Sequence, residues 1–194
     1  MTLSILIPVR SFAYGKTRLS PVLTPMERAA LGRDFLRHVL GVALHPTLGA
    51  QVHVISPDAD VLDLASEQGA TVHRDGADGH NPALDHRLAR LPADRPVLVL
   101  NVDLPLLSVE DILAMGIEAR TADIVLATDH AGRGTNALWL VRPGIIPMAF
   151  GPGSRAAHER AAQLAGATLA VIARHGLAQD IDLPDDLKFL PLRA

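Results

Sequence analysis

The sequence predicts a three-layer α/β domain built on a largely parallel sheet. Short apolar runs alternate with helical stretches along the whole chain, the pattern of β-α units that pack helices against a sheet. The first run, residues 3–9, does not alternate with polar residues and reads as a strand covered on both faces. A length of 194 residues with 48% apolar composition suits a single domain spanning residues 1–194. A domain of that size buries about 70% of its unfolded surface and needs no disulfide or structural metal to hold it.

After the first strand comes a polar loop, residues 10–23. Thr24-Pro25-Met26-Glu27 then spells a capping box, with Thr24 as N-cap, Pro25 at the first helical position and Glu27 reaching back. The helix it opens should run to about residue 45, with Leu31, Phe35, Val39 and Val42 on one face. Residues 51–55 form a second strand, 57–68 a short helix stopped by Gly69, and 70–73 a third strand. Residues 74–80 are Gly-rich and polar, and Asn81-Pro82 begins a helix to about residue 91. Residues 97–101 make a strand, and Ser108 caps a helix to about residue 120. Strands at 123–127 and 136–142, a helix at 154–165, a strand at 168–173 and a short helix from 184 to 187 complete the series. In such sheets function gathers at the carboxyl ends of the strands. That directs attention to residues 10–23, 74–81, 102–107, 128–135 and 150–154.

Lys and Arg total 18 against 21 Asp and Glu, and this mild acidity argues against a nucleic-acid partner. There is no Cys, which removes disulfides, zinc-thiolate sites and thiol catalysis together. The apolar start, residues 1–9, is too short for a membrane span and follows no basic segment. A cytoplasmic protein with no membrane association is therefore expected. No repeat, HExxH helix or G-x-S-x-G elbow is present, and the nine His read as scattered and solvated. Trp139, in an apolar strand, reads as core.

Six places could carry chemistry. Arg10, Lys16 and Arg18 share the first loop with Gly15, and three cations suit a triphosphate as well as they suit a solvated loop. The spacing is neither a Walker loop nor a GxGxxG fingerprint. Asp103 falls just past a buried-looking strand, placed either to hold Mg²⁺ or to close a turn before Pro105. Asp180 and Asp182 would share a face of an extended segment and could grip divalent ions, or could simply be an acidic helix start. Gly151 and Ser154, in Phe150-Gly151-Pro152-Gly153-Ser154, could present helix N–H groups and a hydroxyl to an anion, or make an ordinary capped turn with Ser154 as N-cap. Thr135 could donate to a phosphate or satisfy a turn, and Gly79 and Asn81 could wrap a nucleobase or cap a helix. No general base or activated nucleophile stands out. A phosphate oxygen would need neither, being already anionic.

Taken in order, P-V-R-x5-K-T-R-L, D-G-A-D-G-H-N, V-D-L-P, G-T-N-A-L, F-G-P-G-S and D-I-D-L-P-D-D-L resemble the 2-phospho-L-lactate guanylyltransferase family of coenzyme F420 biosynthesis. The likeness runs from Ile5 to Leu187. It implies a nucleotidyltransferase fold similar to glycosyltransferase A domains, with a mixed central sheet. It implies transfer of GMP from GTP to the phosphate of 2-phospho-L-lactate, phosphoenolpyruvate or 3-phosphoglycerate, with release of pyrophosphate. By motif, Asp103, Asp180 and Asp182 would hold Mg²⁺, while Lys16 and Arg18 would bind the triphosphate, with Arg10 at the first basic position. Thr135, Gly151 and Ser154 would hold the acceptor, and Gly79 and Asn81 would lie near the guanosine. A downstream transferase of the same pathway and a homodimer are the partners this leaves open. The chain departs from the family in Arg10, where Lys is common, in Gly79-His80-Asn81, where G-L-N is common, and in Arg155 beside the F-G-P-G-S motif. A sugar-nucleotide glycosyltransferase of the same fold and a non-catalytic nucleotide-binding subunit are the alternatives.

Overall fold

The computed structural model of the chain describes residues 2–74 and 79–190. Residues 75–78 of the Gly-rich loop lie outside the described residues, and so does any contact they make with a base. Seven strands form one sheet: β1 (Ser4–Pro8), β2 (Gln51–Ser56), β3 (Thr71–Arg74), β4 (Val97–Leu100), β5 (Ile124–Ala127), β6 (Ala137–Leu140) and β7 (Leu169–Ile172). Their order is β3-β2-β1-β4-β6-β5-β7. All pairings are parallel except those of β6, which runs antiparallel to both β4 and β5. The mostly parallel mixed sheet expected from the sequence is thus the one observed.

Helices cover both faces, because every central strand is apolar on both. Ile5 and Ile7 of β1 and Leu98 and Leu100 of β4 pack with α1 (Pro25–Ala43), α2 (Ala59–Glu67) and α4 (Val109–Glu118). Leu6, Val97 and Val99 point the other way, toward α3 (His80–Leu88) and α5 (Ser154–Ala165). The register that places Ile5 beside Leu98 and Leu6 beside Val99 keeps each set on one side of the sheet. Ile5, Leu6, Ile7 and all four residues of β4 are fully buried.

Local signals fix several boundaries. Thr24 and Glu27 make the reciprocal capping box, with the Glu27 N–H donating to the Thr24 hydroxyl at 3.2 Å and the Thr24 N–H donating to the Glu27 carboxylate at 2.7 Å. Ser108 and Asp111 repeat the arrangement at α4. The first helix ends at Ala43, two residues short of the expected limit, because Pro46 starts a separate 3-10 turn, Pro46–Leu48. A four-residue helix, α6 (His175–Ala178), was not evident from the sequence.

Three expectations need correction. The N-cap of α3 is Gly79 and Asn81 lies inside the helix, because its carboxamide is taken up elsewhere. The N-cap of α5 is Gly153, with Ser154 as the first helical residue. The histidines are not uniformly solvated: His158 is completely buried and His53 nearly so. Trp139 is half-buried against the core, its ring lying over Gly116. Among the described residues no helix is long and apolar enough to cross a membrane.

Candidate active site

The chain enters the middle of the sheet as β1, builds outward to β3, then returns to β4 on the other side of β1. A crevice opens where neighbouring strands send their connections in opposite directions. A cavity of about 760 Å³ occupies that place, beyond the carboxyl ends of β1 and β4. Its walls come from the loop after β1, the loop after β4, the β5–β6 turn and the 150–154 turn.

The β4 strand ends at Leu100, and Asp103, three residues later, lines the cavity. Ile181 is fully buried among Leu19, Leu31 and Phe35, and its N–H donates to the Asp103 carbonyl at 3.2 Å. That anchor brings Asp180 and Asp182, on either side of it, to Asp103. One carboxylate oxygen from each of the three lies within 4.8 Å of the others. Asp186 braces the segment by accepting the N–H groups of Asp182 and Leu183 at 3.0 and 2.7 Å. Asn136 holds Asp180, donating to its carboxylate at 3.1 Å and to the Leu177 carbonyl at 2.9 Å.

Lys16 meets this cluster from the first loop. Its ammonium pairs with Asp103 and, at 3.1 Å, with Asp182. Arg18 reaches Asp182 at 3.3 Å from a more exposed position. Lys16 has φ of 52°, the one positive value for a non-glycine among the described residues. Burial alone would depress its pKa, but the Asp103 and Asp182 carboxylates reverse that and hold it above the ordinary lysine value. Burial pushes the Asp180 carboxyl up to about 6, with the neighbouring Asp103 adding to the rise and the Asn136 hydrogen bond opposing it. Three carboxylates this close demand positive charge between them.

The donor set tests whether a divalent ion fits. All three groups are hard oxygen donors, and oxygens around one octahedral Mg²⁺ lie roughly 3–4 Å apart. A cluster within 4.8 Å closes on such an ion with small side-chain movements, and Lys16 already shows that the cluster attracts a cation. The residues fit the metal.

The rest of the lining adds hydroxyls, glycines and further cations. Thr135 is buried at the start of β6 and lines the cavity with Gly151 and Ser154. Gly151 has φ of 134°, a conformation in practice reserved for glycine, and Gly153 is left-handed as well. Together they turn the chain so that α5 begins at the cavity edge. Arg10, Arg28 and Arg133 add cations to the lining.

Of the residues singled out from sequence, Arg10, Lys16, Arg18, Asp103, Thr135, Gly151, Ser154 and Asp182 line this one cavity, and Asp180 joins it through the carboxylate cluster. Gly79 and Asn81 do not line it. Asn81 is bonded to the backbone of Phe150, and its neighbour His80 lines the wall, meeting the Phe150 ring edge-on at 5.6 Å. Arg155 turns away, to Glu159 at 2.8 Å and the Gly132 carbonyl at 3.3 Å. Sequence reasoning passed over Arg28, Arg133, Asn136 and His158. The signal for His158 was there: Ser154, His158 and Ala162 recur at helical spacing, which puts an imidazole on the buried face of α5.

Residues 3–193 match the family described as "Guanylyl transferase CofC like". The chain is 37% identical over 190 residues to phosphoenolpyruvate guanylyltransferase of Rubrobacter xylanophilus, spanning 96% of this chain and 92% of that protein. It is 34% identical over 185 residues to 2-phospho-L-lactate guanylyltransferase of Methanothermobacter thermautotrophicus, spanning 94% and 81%. Among solved structures, CMP:2-keto-3-deoxy-manno-octonic acid synthetase complexed with CTP superposes with a TM-score of 0.61 at 14% identity, covering 97% of this chain and 96% of that one. The 4-diphosphocytidyl-2C-methyl-D-erythritol synthase of Anaerococcus prevotii gives 0.61 at 10% identity, covering 97% and 93%. At those identities the likeness concerns the fold, and it is the nucleotidyltransferase-like fold expected from the motifs. The chain belongs to the CofC-like guanylyltransferase family, whose chemistry is nucleotidyl transfer.

Proposed function

We propose that this chain transfers GMP from GTP to the phosphate of a small phospho-acid in coenzyme F420 biosynthesis. The acceptor is drawn from phosphoenolpyruvate, 2-phospho-L-lactate and 3-phosphoglycerate. One observation carries the reading: a single cavity gathers Lys16, Arg18 and the carboxylate cluster together with Thr135 and the Gly151–Ser154 turn. A triphosphate and a phospho-acid can meet there with their charges opposed by different groups.

Lys16 and Arg18 bind the triphosphate, Lys16 as a point charge and Arg18 as a planar fork. Arg10, at the start of the same loop, adds a further cation for the phosphates. Thr135, Gly151 and Ser154 grip the acceptor and aim its phosphate at the α-phosphorus. An acceptor phosphate oxygen forms the new bond to that phosphorus while the bond to the β-phosphate bridging oxygen breaks, and the electron pair leaves on pyrophosphate. The attacking oxygen is already ionised, so no side chain has to remove a proton. Asp103, Asp180 and Asp182 are the residues that would hold Mg²⁺, which when bound supplies charge neutralisation at the reacting phosphates. Gly79 and Asn81 lie toward the guanosine, and Asn81 also acts on the acceptor side, through the Phe150 turn that it fixes.

The test is pyrophosphate release from GTP and Mg²⁺ with each of the three phospho-acids supplied singly, against a control with no acceptor. Release that depends on one acceptor supports the reading. Equal release with and without acceptor, or none with any of them in folded protein, overturns it.

A further inference from the structure

His158 is fully buried on α5, and both of its ring nitrogens have partners. The Ala149 backbone N–H donates to Nε2 at 3.1 Å. Nδ1 lies 3.0 Å from the Thr135 hydroxyl oxygen. A backbone N–H can only donate, so Nε2 must present its lone pair. A neutral imidazole then carries its single proton on Nδ1. That proton points at Thr135, whose hydroxyl must accept it.

A hydroxyl has one proton and two lone pairs. With a lone pair committed to His158, the Thr135 proton remains available, and Thr135 lines the cavity. Burial reinforces the arrangement, since it brings the His158 pKa down to about 4 and keeps the ring neutral. The same imidazole meets the Phe150 ring edge-on, with centroids 5.0 Å apart. One side chain therefore fixes the rotamer of Thr135 and the position of the turn that carries Gly151.

We propose that His158 is a positioning residue: through its Nδ1–H it sets the Thr135 hydroxyl as a hydrogen-bond donor toward an anionic oxygen of the phospho-acid. It also holds the 149–153 turn at a fixed distance from that hydroxyl. The inference rests on the reading of Thr135 as an acceptor ligand. It makes the site selective for a ligand oxygen that accepts, and poor for one that must donate.

The experiment has two parts. Nitrogen NMR of the wild-type protein reads the tautomer of His158 directly. The expected result is a protonated Nδ1 and a bare Nε2 that persist through neutral pH, and a protonated Nε2 overturns the proposal. A double-mutant cycle with H158F and T135V, read as KM for each substrate, supplies the functional half. Phe keeps the aromatic contact with Phe150 and removes both hydrogen bonds. H158F and T135V should each raise the acceptor KM roughly 10- to 100-fold, the loss of a hydrogen bond to a charged group, with the GTP KM unchanged. The double variant should lose clearly less than the product of the two single losses, because His158 acts largely through Thr135. Additive losses overturn the proposal. If T135V leaves the acceptor KM unchanged, the acceptor reading of Thr135 fails and takes this inference with it. If T135V raises it and H158F does not, only the role of His158 fails. Should H158F not fold, the tautomer decides.

Discussion

The side chain of Asn81 makes two hydrogen bonds to the backbone of Phe150, its Nδ2 donating to the carbonyl at 2.9 Å and its Oδ1 accepting the N–H at 2.8 Å. The two residues are 69 positions apart, and the pairing ties α3 to the turn that opens α5. A carboxamide used this way mimics a strand partner. The turn holding Gly151 and Ser154 is thus anchored from the helix that the Gly-rich loop leads into.

Replacing Asn81 with Ala should therefore loosen the acceptor wall. Each hydrogen bond contributes about 1 kcal/mol net, so the acceptor KM should rise by about tenfold or more. Steady-state kinetics with both substrates varied checks this. A rise confined to the GTP KM would show that Asn81 acts on the nucleotide directly.

Lys16 stands where a divalent cation would bind, and it competes for the same oxygens. In K16M Asp103 loses its positive partner and Asp182 keeps only Arg18. The melting temperature without metal should fall, and the rise on adding Mg²⁺ should exceed that of the wild type. Turnover should drop at least about 100-fold, since the charge at the α-phosphorus loses its stabiliser. Thermal melts with and without Mg²⁺ test the first part. An unchanged metal response would remove Asp103 and Asp182 from the metal site.

The acid side of the stability profile should carry the signature of His158. Its ordinary value is 6.5, and burial lowers it to about 4 in the folded chain. Between those pH values the unfolded state binds more protons, so this contribution is complete above 6.5 and is lost as pH falls through the window. The loss amounts to about 3 kcal/mol. His53, brought to about 4 chiefly by burial, with Arg87 and His73 adding, titrates in the same range. Denaturant titrations of wild type and H158Q at several pH values separate the two. The variant should show a shallower fall between pH 6.5 and 4, and parallel curves would contradict this.

Gly176 bears on the site through packing. A Cβ at this position would overlap the Asp111 carboxylate and crowd the Leu106 carbonyl. Asp111 is itself held by Arg174 at 2.6 Å and by its capping box with Ser108. It cannot move aside cheaply, so G176A should cost at least about 2 kcal/mol. The strain should reach Asp180, because Asn136 bonds both the Leu177 carbonyl and that carboxylate. Chemical denaturation reads the first effect, and Mg²⁺ affinity reads the second.

What was legible in the sequence was local. The Thr24 and Ser108 caps, the buried first strand and the helix that starts at Ser154 are each specified by residues a few positions apart. The carboxylate cluster was legible only as order along the chain, since the meeting of Asp103 with Asp180 and Asp182 depends on the burial of Ile181 beneath them. Asn81 looked like a helix cap because nothing nearby reveals a partner 69 residues away. His158 shares the helical spacing of Ser154 and Ala162, but that spacing does not say what the buried face meets, and its partner Thr135 lies 23 residues away. The α6 helix spans only four residues, too few to show a helical period.

The central claim is the formation of a phosphoanhydride between GMP and the acceptor. Phosphorus NMR of the products, after incubation with GTP, Mg²⁺ and the phospho-acid that drives pyrophosphate release, tests it most directly. The account predicts two coupled phosphoanhydride resonances, one from the GMP phosphorus and one from the acceptor phosphate, together with free pyrophosphate. Free GMP beside an unchanged acceptor would contradict it.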